Sequence, residues 1–356
     1  VFHHSIIPIP HRIHLRQSLL SVPWPSFRPV GLTARREEQV FNVRINADIF
    51  PMFIIKNNGI TDPALNLALE EHCYRTLDPR RDYVLFYINQ PSIIIGNHQN
   101  PFQEINFDFA KQKQIRLVRR ISGGGTVYHD PGNLNFSFMT GFNEEMLDYF
   151  KRLLQPILGS LDRLGVPARL DEKNNILVEG RKISGNSQHT NMRRMLSHGT
   201  LLFEADLDVL HKVLAPKQDI IHSRAVASRR SDVTNILNHL RRPLNMEAFL
   251  AALRAEISDA FGRLQAYRVT TGDWDAVYRL AEEKYRSWDW TFGRTPEFSA
   301  SHRFKFDAAD VDAHILVRRG IIEDIQFAAH EAESPDIRSL MDEVIGKHYD
   351  SEYTDQ

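Results

Sequence analysis

"RRISGGGTVYHDPGNLNFSF" (residues 119–138) carries two arginines and three successive glycines ahead of a Tyr-His-Asp turn. Strand-like sequence lies on both sides of its glycines, at residues 116–121 and 134–138. Successive glycines let the backbone reach conformations that other residues avoid, and they carry no side chain that would keep a ligand away from the backbone N–H groups. The segment is therefore either a tight hairpin or a cradle for an oxygen-rich ligand.

The two arginines, Arg119 and Arg120, favour the cradle, because guanidinium groups beside exposed N–H donors suit a phosphate or a carboxylate. Neighbouring side chains of a strand point to opposite faces, so we expect only one of the two to face a ligand. The segment is neither a dinucleotide-binding fingerprint nor a P-loop, because the G-x-G-x-x-G spacing and a following Gly-Lys-Ser/Thr are both absent.

Two later segments also carry candidate chemistry. Lys182 lies in GRKISGNSQH (180–189), after a turn at Gly180. It could neutralise an α-phosphate or hold a carboxylate oxygen, although an exposed lysine at a strand end is the common alternative. The segment HSRAVASRRSDVTNI (222–236) is basic and rich in small polar residues. By itself it predicts a solvated loop.

The chain from Met52 onward alternates helices with strands. Asp62 and Pro63 form an N-cap and first-turn pair, and Leu65, Leu69 and Cys73 recur at a spacing of four on one buried helix face. Cys73 fits a small core residue better than a nucleophile. Further elements are a strand pair at 83–88 and 92–96, an amphipathic helix at 143–165, strands near 176–180, 182–184 and 199–203, and helices near 206–214 and 246–264.

The C-terminal part predicts a smaller α+β domain. A helical period covers residues 274–290 and a turn-rich connector covers 292–299. Short strands follow in FKF, AHILVRRG and IIEDIQF, before a helix around 337–347. We therefore divide the chain into a leader at 1–51, a catalytic domain at 52–268 and a small accessory domain at 269–356.

Composition excludes several classes of protein. The 356 residues include 44 Lys and Arg against 45 Asp and Glu, so bulk attraction to nucleic acid or to an anionic membrane is not expected. The single cysteine excludes an internal disulfide, a multi-cysteine zinc site and an iron–sulfur cluster, and it fits a reducing compartment. No apolar run approaches the roughly 20 residues that span a bilayer.

Residues 1–51 have a composition of their own, rich in Pro and Arg with no acid before Glu37. They resemble an organelle transit peptide, which would place the protein in a mitochondrion. The chain begins with Val, however, and an ordered pattern starts at Met52, the first methionine. We favour a disordered, non-native upstream segment and a cytoplasmic protein.

The three segments together resemble the lipoate–protein ligase and lipoyltransferase family. Residues 119–138 are similar to its RRxSGGGxVxHDxGNxxF signature, and GRKISGNSQH is similar to its RKxSGxA segment. DPALNLALEE (62–71), IIIGNHQNPFQEIN (93–106), HGTLLF (198–203) and SWDWTFGRTPEFS (287–299) extend the resemblance over residues 52 to about 350. It implies the biotin–lipoate ligase fold, an α+β catalytic domain of mixed sheets with covering helices.

The resemblance also implies an activity, in which ATP activates lipoate to lipoyl-adenylate and the acyl group passes to one lysine of an acceptor domain. The acceptors would be the lipoyl domains of 2-oxoacid dehydrogenase E2 subunits and the glycine cleavage H protein. ATP activation implies Mg²⁺, although no two-carboxylate metal site is visible in the sequence. Nothing in the sequence demands more than a monomer.

Site residues follow from the same resemblance. Lys182 would bridge the acyl oxygen and the phosphate in both half-reactions. The residues implied in binding the acyl group or the adenylate are Arg120, Ser122, Gly124, Gly125, Val127, Tyr128, His129, Asn133, Asn174, Ser184 and His189. SRRSDVTN (228–235) would match a mobile adenylate-binding loop.

Some residues depart from the family pattern and leave alternatives open. Asn175 stands where members commonly have an aspartate that could approach Mg²⁺, and His189 stands where an arginine can help to bind the acyl carboxylate. Lipoate and octanoate therefore both remain candidate substrates. The alternatives are a transferase that uses preformed lipoyl-adenylate and a non-catalytic acyl- or adenylate-binding relative. Biotin ligation and cysteine-dependent octanoyl transfer are disfavoured by the signature and by the position of Cys73.

Overall fold

The computed structural model describes residues 51–142, 146–216, 220–306, 309–327 and 341–349. The strands of the N-terminal half are β1 (Phe53–Ile55), β2 (Tyr83–Tyr87), β3 (Ser92–Ile95), β4 (Arg116–Arg119), β5 (Val127–His129), β6 (Asn133–Gly141), β7 (Ala168–Leu170) and β8 (Ile176–Val178). Those of the C-terminal half are β9 (Arg181–Ser184), β10 (Asn186–Thr190), β11 (Arg194–Leu202), β12 (Ile220–Ser223), β13 (Gln265–Tyr267), β14 (Phe298–Phe306), β15 (Ala309–Arg318) and β16 (Ile321–Phe327).

The α-helices are α1 (Pro63–Thr76), α2 (Pro101–Glu104), α3 (Phe107–Gln112), α4 (Met146–Arg163), α5 (Leu207–Val213), α6 (Met246–Phe261), α7 (Thr271–Leu280) and α8 (Trp288–Thr291). A 3₁₀ turn covers Ile236–His239, and a π-helical turn covers Ala281–Tyr285. Asp62 caps α1 by accepting a hydrogen bond from the Leu65 N–H, as its position before Pro63 predicts. Within the described residues, no helix is long and apolar enough to cross a membrane.

A six-stranded mixed sheet forms the centre of the protein, in the order β10-β11-β6-β2-β1-β13. Alternate residues of β2 and β6 point to opposite faces, and both faces are covered. Phe136 and Phe138 pack with α4 and α6 on one face, whereas Leu85 and Met139 pack with α1 on the other. The expected α+β fold of mixed sheets with covering helices is confirmed.

Two three-stranded sheets lie beside the central sheet, in the orders β4-β3-β5 and β7-β8-β9. The predicted pairing of residues 83–88 with 92–96 is wrong, because β2 belongs to the central sheet and β3 is the middle strand of a separate one. Both strands are apolar on both faces, so their composition indicates burial without indicating a partner. β10 was not predicted, because its residues Asn186–Thr190 are polar and only half-buried at a sheet edge.

The glycine segment does not form a tight hairpin. β3 lies between β4 and β5, parallel to the first and antiparallel to the second, so the glycines carry the chain across the end of β3. The cradle alternative is therefore the one that the topology supports.

A four-stranded sheet in the order β12-β14-β15-β16 contains the predicted C-terminal strands. β12 precedes residue 268 and pairs with β14, so this sheet joins both sides of the predicted domain boundary. The boundary at 268/269 stays a prediction. The leader at 1–50, residues 143–145 of the long helix and residues 337–340 of the last predicted helix lie outside the described residues.

Gly132 allows the turn between β5 and β6 to pack against the backbone of the segment after β11. A Cβ atom at this position would overlap the Glu204 carbonyl and the Ala205 amide. Because backbone cannot move aside as a side chain can, we expect Gly132→Ala to lower the free energy of unfolding by about 3 kcal/mol in urea denaturation. Gly123→Ala is the control, since a Cβ added at Gly123 would have no atom within 4 Å apart from those of its chain neighbours. Equal losses in the two variants would contradict this reason.

Candidate active site

A cavity of about 510 Å³ opens at the glycine segment, between the sheets that contain β5, β9 and β11. One part of its lining is apolar and comprises Leu67, Tyr87, Ile94 and Val127. The other part is polar and comprises Gly124, Gly125, Asp171, Lys173, Lys182, Gly185, Ser228, Arg229 and Arg230, among others. The cavity thus combines a recess for a hydrocarbon chain with a cationic region.

Arg120 holds the glycine segment in place from inside the protein. Its Nη2 donates to the carbonyls of Gly123 at 2.6 Å and Gly125 at 2.8 Å, and its Nη1 donates to Ile94 O at 3.0 Å. Burial lowers the pKa of Arg120 to about 10, so the side chain remains a cation at neutral pH. Gly124 adopts φ +92°, which an L side chain rarely reaches. Arg120 therefore supplies charge to the cavity and fixes the shape of its bare backbone.

Arg119 points away from the cavity, as strand alternation predicts. It is fully buried, and it donates to the carbonyls of Thr291, Gly96 and Gln99. Burial lowers its pKa to about 9. The Trp290 indole N–H donates in turn to Arg119 O at 2.7 Å. Arg119 thus ties the cradle strand to the region around α8.

Lys182 projects from β9 into the cavity and is half-buried. Burial lowers its pKa, and the neighbouring Asp171 opposes that shift. A Cβ on Gly185 would come within 3.0 Å of the Lys182 Nζ, so the glycine leaves the room that the ammonium group occupies. Within the described part of the chain, Nζ has no hydrogen-bond or ion-pair partner. The amine is therefore free to meet a ligand.

The basic segment is anchored rather than freely solvated. Ser228 Oγ accepts hydrogen bonds from Thr126 N and Gln99 Nε2, both at 2.9 Å, and Ser228 N donates to Glu104 Oε1. These contacts bring the exposed Arg229 and Arg230 to the mouth of the cavity. The sequence alone predicted only a solvated loop, because the anchoring residues lie more than 100 positions away.

A buried polar chain that the sequence did not reveal links the cradle to α1, and its middle member, His198, also lines the cavity. His198 Nε2 lies 2.6 Å from Ser122 Oγ, and His198 Nδ1 lies 3.0 Å from Glu70 Oε1. Burial alone would raise the pKa of Glu70, but His198, Ser137 and Arg120 together lower it. The available signal was the pair Asn66 and Glu70, polar residues at a spacing of four that are both buried in α1.

The predicted site residues fall into two groups. Arg120, Gly124, Gly125, Val127, His129 and Lys182 line the cavity. Ser122, Tyr128, Asn133, Asn174, Ser184 and His189 do not.

Each residue of the second group has a different place. Ser122 Oγ accepts a hydrogen bond from Arg120 Nε, and Tyr128 packs in the core on the opposite face of β5. Asn133 donates to Asn135 Oδ1, while Asn174 O and Ser184 Oγ both contact the Asn186 amide. The His189 ring stacks edge-on against Tyr74, 5.4 Å away. Any contact of these side chains with a ligand stays a prediction.

His129 predicts a measurable pH dependence of stability. Burial first, then Arg120 and His198, lower its pKa to about 3. An unfolded chain takes up a proton there below pH 6.5 and the folded chain does not, so stability is lost as the pH falls from 6.5 towards 3. We expect this histidine to account for a loss of about 2 kcal/mol in the free energy of unfolding between pH 7 and pH 5. In urea denaturation, His129→Gln should lack this loss of unfolding free energy between pH 7 and pH 5. His222→Gln, at an exposed histidine, should retain it. An identical pH slope in the wild type and His129→Gln would contradict the assignment.

The cavity places an apolar recess beside bare backbone and cationic side chains, an arrangement that suits a ligand with a short apolar chain and an anionic group. A family model for the lipoyl protein ligase A/B catalytic domain matches residues 62–258. The lipoate-protein ligase LplJ of Bacillus subtilis is 40% identical over 301 residues, which cover 84% of this chain and 91% of that protein. The chain therefore belongs to the lipoyl protein ligase A/B family and is an enzyme of the ligase type.

Solved structures agree on the fold. A lipoate-protein ligase A bound with ATP is 25% identical with a TM-score of 0.59, and the match covers 68% of this chain and 98% of that one. A bipartite lipoate protein ligase of Thermoplasma acidophilum, described together with its E2 lipoyl domain, is also 25% identical with a TM-score of 0.59. That match covers 68% of this chain and 96% of the archaeal chain.

Proposed function

We propose that the protein activates lipoate with ATP to lipoyl-adenylate and then transfers the lipoyl group to a lysine of an acceptor domain. The single observation that carries the proposal is the cavity, in which an apolar recess, a cradle of bare backbone and the amine of Lys182, which has no partner among the described residues, meet. Its relatives are named as lipoate–protein ligases, and one neighbour binds ATP.

In the first half-reaction, the carboxylate anion of lipoate must approach the negatively charged α-phosphate of ATP. A lipoate carboxylate oxygen attacks the α-phosphorus, the bond to the β-phosphate oxygen breaks, and pyrophosphate leaves. Lys182 would contact the carboxylate and the α-phosphate together, and the positive charge of Arg120 would lower the energy of the negative charge on both. Because Arg120 already holds Gly123 and Gly125 through their carbonyls, this environment is organised before the reactants arrive.

The second half-reaction forms an amide. The neutral amine of the acceptor lysine attacks the acyl carbonyl of lipoyl-adenylate, AMP leaves, and the amine loses a proton to solvent. The ammonium group of Lys182 would keep its contacts with the carbonyl and phosphate oxygens as negative charge develops on them. The same cation would thus serve both half-reactions.

Mg²⁺ fits the cavity as an ion that arrives with the triphosphate. Among the described residues, no group of three or more His, Cys, Asp or Glu side chains could hold a metal ion. Magnesium usually needs only one or two carboxylates together with substrate phosphates, and Asp171 is a lining carboxylate. Asp171 would hold the ion, in place of the acid missing at Asn175, and the ion would neutralise phosphate charge.

The acceptor would be a lipoyl domain of an E2 subunit or the glycine cleavage H protein. The Thermoplasma ligase has an E2 lipoyl domain as its partner. The exposed Lys173, Arg229 and Arg230 at the cavity mouth would favour an acceptor whose surface is acidic. We further propose that the enzyme acts as a monomer in the cytoplasm, with a mitochondrial site as the alternative if residues 1–51 are a transit peptide.

Intact-mass analysis of an apo lipoyl domain tests the proposal. The domain is incubated with the protein and lipoate, with and without Mg-ATP, and in parallel with preformed lipoyl-adenylate. We expect an adduct from lipoate only with Mg-ATP. An adduct from lipoyl-adenylate alone would identify a transferase, and no adduct in either reaction would favour a binding protein.

A further inference from the structure

A chain of buried asparagines leads from a surface turn to the cavity. Asn57 Nδ2 donates to Asn66 Oδ1 at 3.1 Å, and Asn66 Nδ2 donates to Asn89 Oδ1 at 2.9 Å. Asn89 Nδ2 lies 3.0 Å from His129 Nδ1. Asn66, Asn89 and His129 are each at most 3% exposed, so water does not compete for these contacts.

One backbone carbonyl fixes the direction of every hydrogen bond in this series of asparagines. Ile60 O can only accept, and both Asn57 Nδ2 and Asn66 Nδ2 donate to it, at 2.8 Å and 3.0 Å. Because this fixes the nitrogen of Asn66 on the side of Asn89, Asn89 must present its oxygen to Asn66 and its nitrogen to His129. His129 Nδ1 is then the acceptor, and the ring proton lies on Nε2.

The resulting N–H group has no partner among the described residues. His129 Nε2 is buried and makes no hydrogen bond within the part of the chain that the structure describes. His129 lines the cavity while its Nε2 is closed off from solvent, so a ligand would supply the missing acceptor by displacing the side chains that pack over this atom. A buried donor without a partner costs about 1–3 kcal/mol, so a ligand that satisfies it gains affinity over one that does not.

His129 lies next to the apolar part of the cavity lining, where the hydrocarbon part of a ligand would bind. Strand pairing places Ile94 opposite Val127 and Ser92 opposite His129, so His129 continues the apolar lining by one strand step. It lies four residues beyond Gly125, which span at most about 13 Å when fully extended. An eight-carbon acid with its carboxylate at the cradle is long enough to approach His129.

We propose that Asn66 and Asn89 are positioning residues that fix His129 as its Nε2–H tautomer, and that this N–H donates to the acyl chain and selects chains that carry an acceptor atom. The dithiolane sulfurs of lipoate are such acceptors, whereas octanoate carries only hydrocarbon at that distance. The inference rests on the proposed function, because it assumes that the acid binds with its carboxylate at the cradle. It names a determinant of substrate choice within the same site.

NMR of the full-length protein with ¹⁵N-labelled histidine tests the tautomer and its ligand. We expect His129 to hold a single Nε2–H tautomer from pH 5 to pH 8, and lipoate to shift its Nε2 resonance while octanoate leaves it in place. An Nδ1–H tautomer, a mixture of tautomers or an equal response to both acids would overturn the inference.

Two substitutions test the consequence for substrate choice. His129→Phe keeps a ring without the donor, and Asn89→Leu removes the group that fixes the tautomer. We expect each to lower the ratio of kcat/KM for lipoate over octanoate about fivefold, through the KM for lipoate. The exposed His211→Phe and Asn238→Leu are matched controls that should keep the ratio. An unchanged ratio in His129→Phe would overturn the proposal even if Asn89→Leu failed to fold.

Failure of this inference is distinguishable from failure of the proposed function. If the protein did not handle lipoate at all, neither acid would bind and no adenylate would form. If only the inference were wrong, both acids would bind and react, with no difference at His129.

Discussion

Replacing Lys182 with methionine should lower the rate of lipoyl-adenylate formation about a hundredfold to a thousandfold. The physical reason is that its half-buried amine lines the cavity and has no hydrogen-bond or ion-pair partner among the described residues, so it can meet a reacting carboxylate and phosphate. Methionine keeps most of the side-chain volume and removes the charge. Pyrophosphate release in single-turnover reactions measures the effect, and transfer from preformed lipoyl-adenylate should fall as well.

Protein stability separates this effect from misfolding. Lys182 is desolvated in the folded protein, so its loss should leave the melting temperature unchanged or slightly raised. Lys113→Met removes an exposed lysine and is the matched control, with activity and stability expected near those of the wild type. A Lys182→Met protein that formed adenylate at the wild-type rate would remove the lysine from the mechanism and strengthen the binding-protein alternative.

Arg120→Lys should lower adenylate formation about a hundredfold although the charge is kept. Arg120 donates from three nitrogens to Ser122 Oγ, Ile94 O and the carbonyls of Gly123 and Gly125. A lysine amine is a single point donor that cannot reproduce this fork, so the glycine backbone would lose its fixed shape. We also expect faster amide hydrogen exchange in residues 122–126 and a lower melting temperature.

Arg116→Lys, at the start of β4, is the control for this substitution. Its guanidinium is 56% exposed and pairs with Asp62, so the change should leave adenylate formation within about threefold of the wild type. Wild-type activity in Arg120→Lys would mean that charge alone matters at this position, and that the hydrogen bonds to the glycine carbonyls serve the fold but not the reaction.

Local patterns in the sequence were sufficient for several features of the protein. The period of the apolar residues predicted α1, α4 and most strands, and strand alternation predicted that Arg119 and Arg120 would face different surroundings. Both predictions depend on neighbours within a few residues, which share one element and one direction. The α+β class and the cationic glycine cradle follow from the same local information, together with the resemblance of the motifs.

Tertiary structure alone decided which elements and side chains meet. β2 and β3 are separated by only a few residues and yet belong to different sheets, because each buries both faces against partners from elsewhere in the chain. Likewise, Ser122, His198 and Glu70 form one chain although 128 positions separate His198 from Glu70.

The position of the ring proton of His129 is likewise not determined by the local sequence. The sequence places this histidine beside the glycine cradle, and only the packed structure supplies Asn89, 40 positions away, whose Nδ2 lies 3.0 Å from the His129 Nδ1. A sequence fixes the period and chemistry of each element, since these depend on adjacent residues. Which donor faces which acceptor depends on how the elements pack, and that is set by burial across the whole molecule.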